Sequence, residues 1–164
     1  MRTRLVASLV TGLMLAGGAL GLAAHPAAGA GATGVPNFDV GSVRLTGAAE
    51  VPGPGDEDGR GRFSYVAFGD HLCYVLTAFR IEPATMAHIH SGAADVAGPI
   101  AINLTAPTRG FSADCIEAVD NSTPDSAAVL LRSELDAIIA TPENFYANVH
   151  NAAFQAGAIR GQLA

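Results

Sequence analysis

The sequence predicts a mostly β protein, an antiparallel Greek-key sandwich or barrel with one helix near residues 124–140. Three observations carry that expectation. From Phe38 onward, short runs rich in Val, Phe, Tyr, Ile and Leu alternate apolar with polar side chains. Between them stand breaker stretches such as P-G-P-G-D-E-D-G-R-G from Pro52, which no helix tolerates. One segment alone, behind Ser122-Thr123-Pro124-Asp125, spaces its apolar residues as a helix does.

Taken in order, the first strand sets Val43 and Leu45 against Arg44 and Thr46 and stops before Pro52. G-R-F-S-Y-V-A-F-G and L-C-Y-V-L-T-A-F-R-I follow as a strand pair, joined by a short hairpin at Gly69-Asp70-His71. The next strand is T-M-A-H-I-H-S-G, 85–92. Pro99 to Thr105 alternates Ile100, Ile102 and Leu104 with Ala101 and Asn103, a half-buried strand. Phe111 to Val119 is a weaker strand signal. The helix then has a hydroxyl cap and a first-turn proline at its start, Leu131, Leu135, Ile138 and Ile139 on one side, and Thr141-Pro142 at its end. F-Y-A-N-V-H from Phe145 and A-I-R-G-Q-L from Ala158 form a closing hairpin, with Gln155-Ala156-Gly157 near the turn.

Ahead of this domain lies an address. Arg2 and Arg4 precede an apolar run from Leu5 to Ala24, and Ala28-Gly29-Ala30 fits small-residue cleavage. The sequence predicts a signal peptide over 1–30, a flexible lead-in over 31–37 and a single domain over 38–164. The run is also just long enough to span a membrane if left uncleaved. Cleavage leaves no membrane span and a secreted or extracytoplasmic chain of 134 residues, one domain in size. Seven arginines then face fifteen acids, a net charge of −8 with no lysine, which argues against nucleic acid or an anionic membrane as partner.

The two cysteines, Cys73 and Cys115, lie in the exported part. In an oxidising compartment the default is a disulfide, with a pair of free thiols on a soft metal as the competing reading.

The chemistry-bearing residues concentrate in two strands. Side chains alternate faces along a strand, so His88 and His90 point the same way about 6.7 Å apart, with Ile89 opposite. Asn148 and His150 likewise share a face, with Val149 opposite. If Ile89 and Val149 are core, three imidazoles stand on the exterior of one sheet, as a metal grip or as hydrogen-bonding braces. Imidazole suits copper or zinc. Asn148, Ser91 and Asp95 are the candidates to accept the far N–H of a ligating ring. His71, at a hairpin tip, reads as a solvated turn residue.

Glu50 and Arg160 stand in otherwise apolar strand sequence near the two ends of the domain. They read as a salt bridge tying the first strand to the last, or as a substrate or partner contact. No G-x-S-x-G elbow or phosphate-cradling loop is present, and D-E-D at 56–58 lacks the spacing of a calcium loop.

Five stretches together, G-A-A-E-V-P (47–52), A-H-I-H-S-G (87–92), Gly98-Pro99, Y-A-N-V-H (146–150) and G-A-I-R-G-Q-L (157–163), resemble the chordin-type, or CHRD, domain. The resemblance covers about 38–164 and implies an exported β-sandwich, found alone in bacteria and as repeats in an extracellular growth-factor binder. The expected fold class is superoxide-dismutase-like or immunoglobulin-like. The site is also distantly similar to that of copper–zinc superoxide dismutase, with His88 and His90 matching its H-x-H strand and His150 its late histidine. The bridging histidine and the zinc subsite have no counterpart here. The resemblance therefore implies a copper or zinc grip without robust turnover, in a chain leaning away from enzyme. The alternative is a module that binds an extracellular protein or envelope component.

Overall fold

Eight strands form because the alternating runs can each bury one face, and they associate into one sheet. The computed structural model describes residues 38–164. The predicted signal peptide and lead-in lie outside the described residues. The strands are β1 (Phe38–Thr46), β2 (Arg60–Phe68), β3 (His71–Phe79), β4 (Ala84–Ser91), β5 (Ile100–Leu104), β6 (Phe111–Glu117), β7 (Phe145–Asn151) and β8 (Ile159–Gln162), with α1 (Arg132–Ala140) between β6 and β7. Their order in the sheet is β5-β4-β7-β8-β1-β2-β3-β6, and every pairing is antiparallel.

The sheet curls into a nearly closed barrel of two four-stranded halves. Chain connections from β3 to β4, β5 to β6 and β6 to β7 cross between the halves, the interleaving a Greek-key fold requires. The halves meet along β1 and β8, where the ladder has a single registered pair, Thr46 with Arg160. At the opposite seam β5 and β6 share no ladder. Side chains bridge it instead: Ser112 Oγ donates to Thr105 O at 2.7 Å, and Thr105 N donates to Tyr74 Oη at 2.8 Å.

Leu45, Phe63, Leu72, Leu76, Ile89, Ile102, Val149 and Ile159 fill the interior with essentially no exposure. Each such aliphatic side chain contributes about 1.5–3 kcal/mol by leaving water. Cys73 and Cys115 face each other across β3 and β6 and form the expected disulfide.

The helix departs from the sequence reading. It starts at Arg132, eight residues after Pro124, although Leu135 and Ile138 enter the core as their spacing predicts. The backbone before it has other partners. Ala127 O accepts the Asn103 N–H on the free edge of β5, and Val119 N–H donates to Leu130 O beside a Val119–Leu131 bridge. Helix hydrogen bonding would forfeit those edge contacts. Glu134 accepts the Leu131 N–H at 2.8 Å, and Asn121 Oδ1 takes that of Ser133 at 2.9 Å, so the late start is itself capped.

Candidate metal centre

β4 and β7 pair with His88 opposite Asn148, His90 opposite Tyr146 and Met86 opposite His150. β7 and β8 continue the rows, setting Asn148 beside Arg160 and Tyr146 beside Gln162. Alternation then does what the sequence predicts. Ile89 and Val149 are fully buried in the core, while His88, His90, Asn148 and His150 share the outer face.

That face is not exterior in the sense expected. The three histidines are only 6–8 % exposed. The chain between β4 and β5 and the chain between β7 and β8 fold back over them. Arg160 clamps the first of these coverings, donating to Ala93 O at 2.8 Å and Val96 O at 3.0 Å. Its guanidinium lies 3.3 Å from the centre of the Tyr146 ring, which in turn stacks on His90 at 4.7 Å. Gln162 Nε2 donates to the carbonyls of Gly92, Glu143 and Phe145. Gly98 allows the loop to close, since a Cβ there would overlap the Ser91 carbonyl.

The covering segments also set the tautomers. His90 Nδ1 lies 2.9 Å from Gly98 O, and His150 Nδ1 lies 2.9 Å from Gln155 O. A carbonyl only accepts, so both Nδ1 atoms carry the proton and both Nε2 atoms present lone pairs. His90 Nε2 is buried with no hydrogen-bond partner among the described residues. His88 Nδ1 stands 3.0 Å from His150 Nε2 and donates to it when no cation is present. Asn148 lies 3.1 Å from the same nitrogen. The facing atom is the amide oxygen Oδ1, an acceptor, and the His150 Nε2 lone pair already takes the His88 proton, so no hydrogen bond joins Asn148 to that nitrogen in this tautomer.

The three residues can each offer a ring nitrogen, all within 4.8 Å of one another. Two nitrogens on one ion at about 2.0–2.1 Å lie at most about 4 Å apart, so the widest pair has roughly 1 Å to close by side-chain rotation. Burial, reinforced by the neighbouring imidazoles, drives His88 down to a pKa of about 4. Burial also lowers His90 and His150. The rings are neutral at pH 7, the form that ligates.

Other expected site residues are placed differently. Asn148 is among the rings, but Ser91 and Asp95 are exposed and neither side chain bonds an imidazole. Glu50 and Arg160 form no ion pair. Among the described residues the salt bridge is Arg132 with Asp70, an exposed pair. Arg160 turns instead to loop carbonyls and Tyr146, while the Glu50 carboxyl rests on Gly157 with Oε1 unpartnered. Burial outweighs the distant Arg160 charge and raises Glu50 to about 7. His71, partly exposed, stacks on Phe68 at the start of β3. Tyr146 and Gln162 escaped the sequence reading, although parity marks both: each lies two residues from a chosen position, Asn148 or Arg160.

The family model for the CHRD domain matches residues 41–163. The chain belongs to the CHRD domain family. Comparison with curated proteins and with solved structures finds no significant match. Within this CHRD domain the matched span holds all three histidines, both cysteines and the Glu50 and Arg160 positions. Among the described residues no helix is long and apolar enough to cross a membrane.

Proposed function

We propose that this CHRD domain is an exported metal-binding module in which His88, His90 and His150 hold one copper or zinc ion without robust turnover. One observation carries the reading. Two of the three rings are fixed by Nδ1–H bonds to backbone carbonyls, and the Nε2 of one is buried and unpartnered. Metal-ligating histidines are oriented in that way, with the far N–H spent on an oxygen. A buried acceptor with no donor is costly unless a cation or proton donor completes it. Copper ranks ahead of zinc on the affinity order of nitrogen sites. When bound, the ion supplies a Lewis-acid centre; the chain supplies the ligands, Asn148 beside them, and the Arg160-clamped loop that limits water. The disulfide supports export to an oxidising compartment.

A second reading keeps the rings as braces in a module that binds an extracellular protein or envelope component. The direct His88–His150 bond favours it. Titration of the purified protein with Cu(II) and Zn(II) separates the two. Tyr146 stacks on a ligand, and the chain has three tyrosines and no tryptophan, so Cu(II) quenching of tyrosine fluorescence reports occupancy. Stoichiometric binding at micromolar metal is expected, lost in His90→Ala and His150→Ala. No binding by the unaltered protein sinks the metal reading, and binding that survives both substitutions assigns it to other ligands.

A further inference from the structure

The two halves of the barrel treat their outer faces differently. On β5-β4-β7-β8 the outer face lies under loops, whereas on β1-β2-β3-β6 nothing among the described residues covers it. Strand register lays this bare face out in rows. Phe38 and Phe68 share the first row, Val40 and Val66 the second with the disulfide, and Ser42, Ser64 and Val75 the third. Arg44 and Arg62 form the fourth, with Arg60 one row beyond. Phe38 is 63 % exposed, Val40 58 % and Val75 43 %. An apolar groove of about 550 Å³ runs over the second and third rows. A further hollow of about 310 Å³, walled by Arg44, Arg60 and Arg62, continues it.

An acidic protein has thus gathered three of its arginines at one end of an apolar strip. None of the three has a carboxylate within ion-pair distance among the described residues. Arg62 Nη1 donates to Ser42 Oγ at 2.9 Å, and Ser42 and Ser64 are joined at 2.8 Å, so donors stand ready where the two hollows meet. Arg60 is held by the carbonyls of Glu57 and Gly59.

We propose that this face binds a single-chain anionic amphiphile, its acid group at Arg44 and Arg62 and its hydrocarbon tail along the groove toward Phe38 and Phe68. Three row spacings separate those ends, about 20 Å at two residues per row. Charge complementarity places the head, since guanidinium forks suit carboxylate and phosphate. The groove floor places the tail. Its central floor, β2 and β3, has its backbone groups consumed by ladders on both sides, so an extended peptide lying there would leave its own amides unpaired, whereas a hydrocarbon has none to satisfy. A membrane surface is disfavoured because the cations sit at one end of the apolar strip rather than around its rim, and because the chain is acidic overall. Screening confines that net repulsion to about 8–10 Å, leaving the local arginines in command of a single ligand.

Calorimetric titration with palmitate below its micelle concentration tests this, with hexadecanol and butyrate as controls. One palmitate should bind per chain and neither control should match it. Arg44→Gln with Arg62→Gln should weaken binding about tenfold or more, as loss of charged hydrogen bonds does. Val75→Asp should abolish it, and Val40→Asp replaces that variant if its thermal midpoint falls. His90→Ala should bind palmitate as before, which separates this face from the metal reading. No saturable binding, equal binding by the arginine variants, or hexadecanol bound as tightly as palmitate overturns the proposal. So does sedimentation showing a dimer that the Val75 substitution dissolves, which would make a second copy the occupant.

Discussion

Replacing Arg160 by methionine tests whether the arginine holds the loop over the histidines or ties the first strand to the last through Glu50. Arg160 is 1 % exposed and donates to Ala93 O and Val96 O while covering the Tyr146 ring. Hydrogen bonds from a charged donor are worth about 1.5–3 kcal/mol each, and a desolvated cation–π contact about 2 kcal/mol. Against this stands relief from burying an unpaired guanidinium, which burial already makes less basic than usual. Methionine fills most of the aliphatic volume, so the net cost should be about 3–4 kcal/mol. For a domain of this size that lowers the thermal midpoint by roughly 10–15 °C. A double-mutant cycle with Glu50→Gln supplies the discrimination. The coupling energy between Arg160 and Glu50 should be within about 0.5 kcal/mol of zero, whereas a cycle with Tyr146→Leu should give more than 1 kcal/mol. A large Glu50–Arg160 coupling, or a neutral Arg160→Met, would refute the loop-clamp account.

Three further outcomes are expected. Acid should destabilise the metal-free protein between about pH 6.5 and 4: His88 titrates near 4 when folded and near 6.5 when unfolded, so the unfolded chain takes up the proton first. The full shift would be worth about 3.4 kcal/mol, which screening at a partly solvated site cuts to roughly 1–2 kcal/mol; urea midpoints against pH measure it, and a flat profile refutes it. Glu50 works in the opposite sense, because its folded pKa of about 7 lies above 4.5. Its contribution is present below pH 4.5 and lost as pH rises through 7, so Glu50→Gln should hold its stability better than the parent from pH 6 to 8. Reducing the disulfide, which closes a separation of 42 residues, should cost about 4 kcal/mol on the chain-entropy model, read from denaturant midpoints with and without reductant.

The strands were legible because one face of each is the more apolar and packs into the barrel, and period-two alternation records that choice directly, even in β7, whose other face is buried as well. The same parity exposed His88, His90 and His150 as neighbours on a face. What escaped depends on contacts made far along the chain. Nothing local announces that the β4–β5 and β7–β8 connections fold back over the histidines, because the clamp is Arg160 reaching carbonyls more than sixty residues earlier. The sequence placed Arg160 and Glu50 at opposite ends of the domain, but only register shows that Arg160 sits beside Asn148 and turns toward the loop. The helix start at Ser122–Asp125 was a sound local signal overruled by long-range demand, since the edge of β5 takes the Ala127 carbonyl. Cross-strand pairing of Cys73 with Cys115 needed no geometry beyond an oxidising compartment.

The single ladder pair joining β1 to β8 gives the domain a direction of mechanical weakness. These strands run antiparallel, so residue 38 and residue 164 lie toward the same end of the joint. Tension between them unzips it rather than shearing many bonds at once. Once the joint opens, β8 is held to β7 by four registered pairs against nine between β1 and β2, so β8 is the next to yield, and with its Arg160 goes the hold on the loop above the histidines. A pull on the ends of the domain therefore uncovers the imidazole face before the disulfide-stapled half yields.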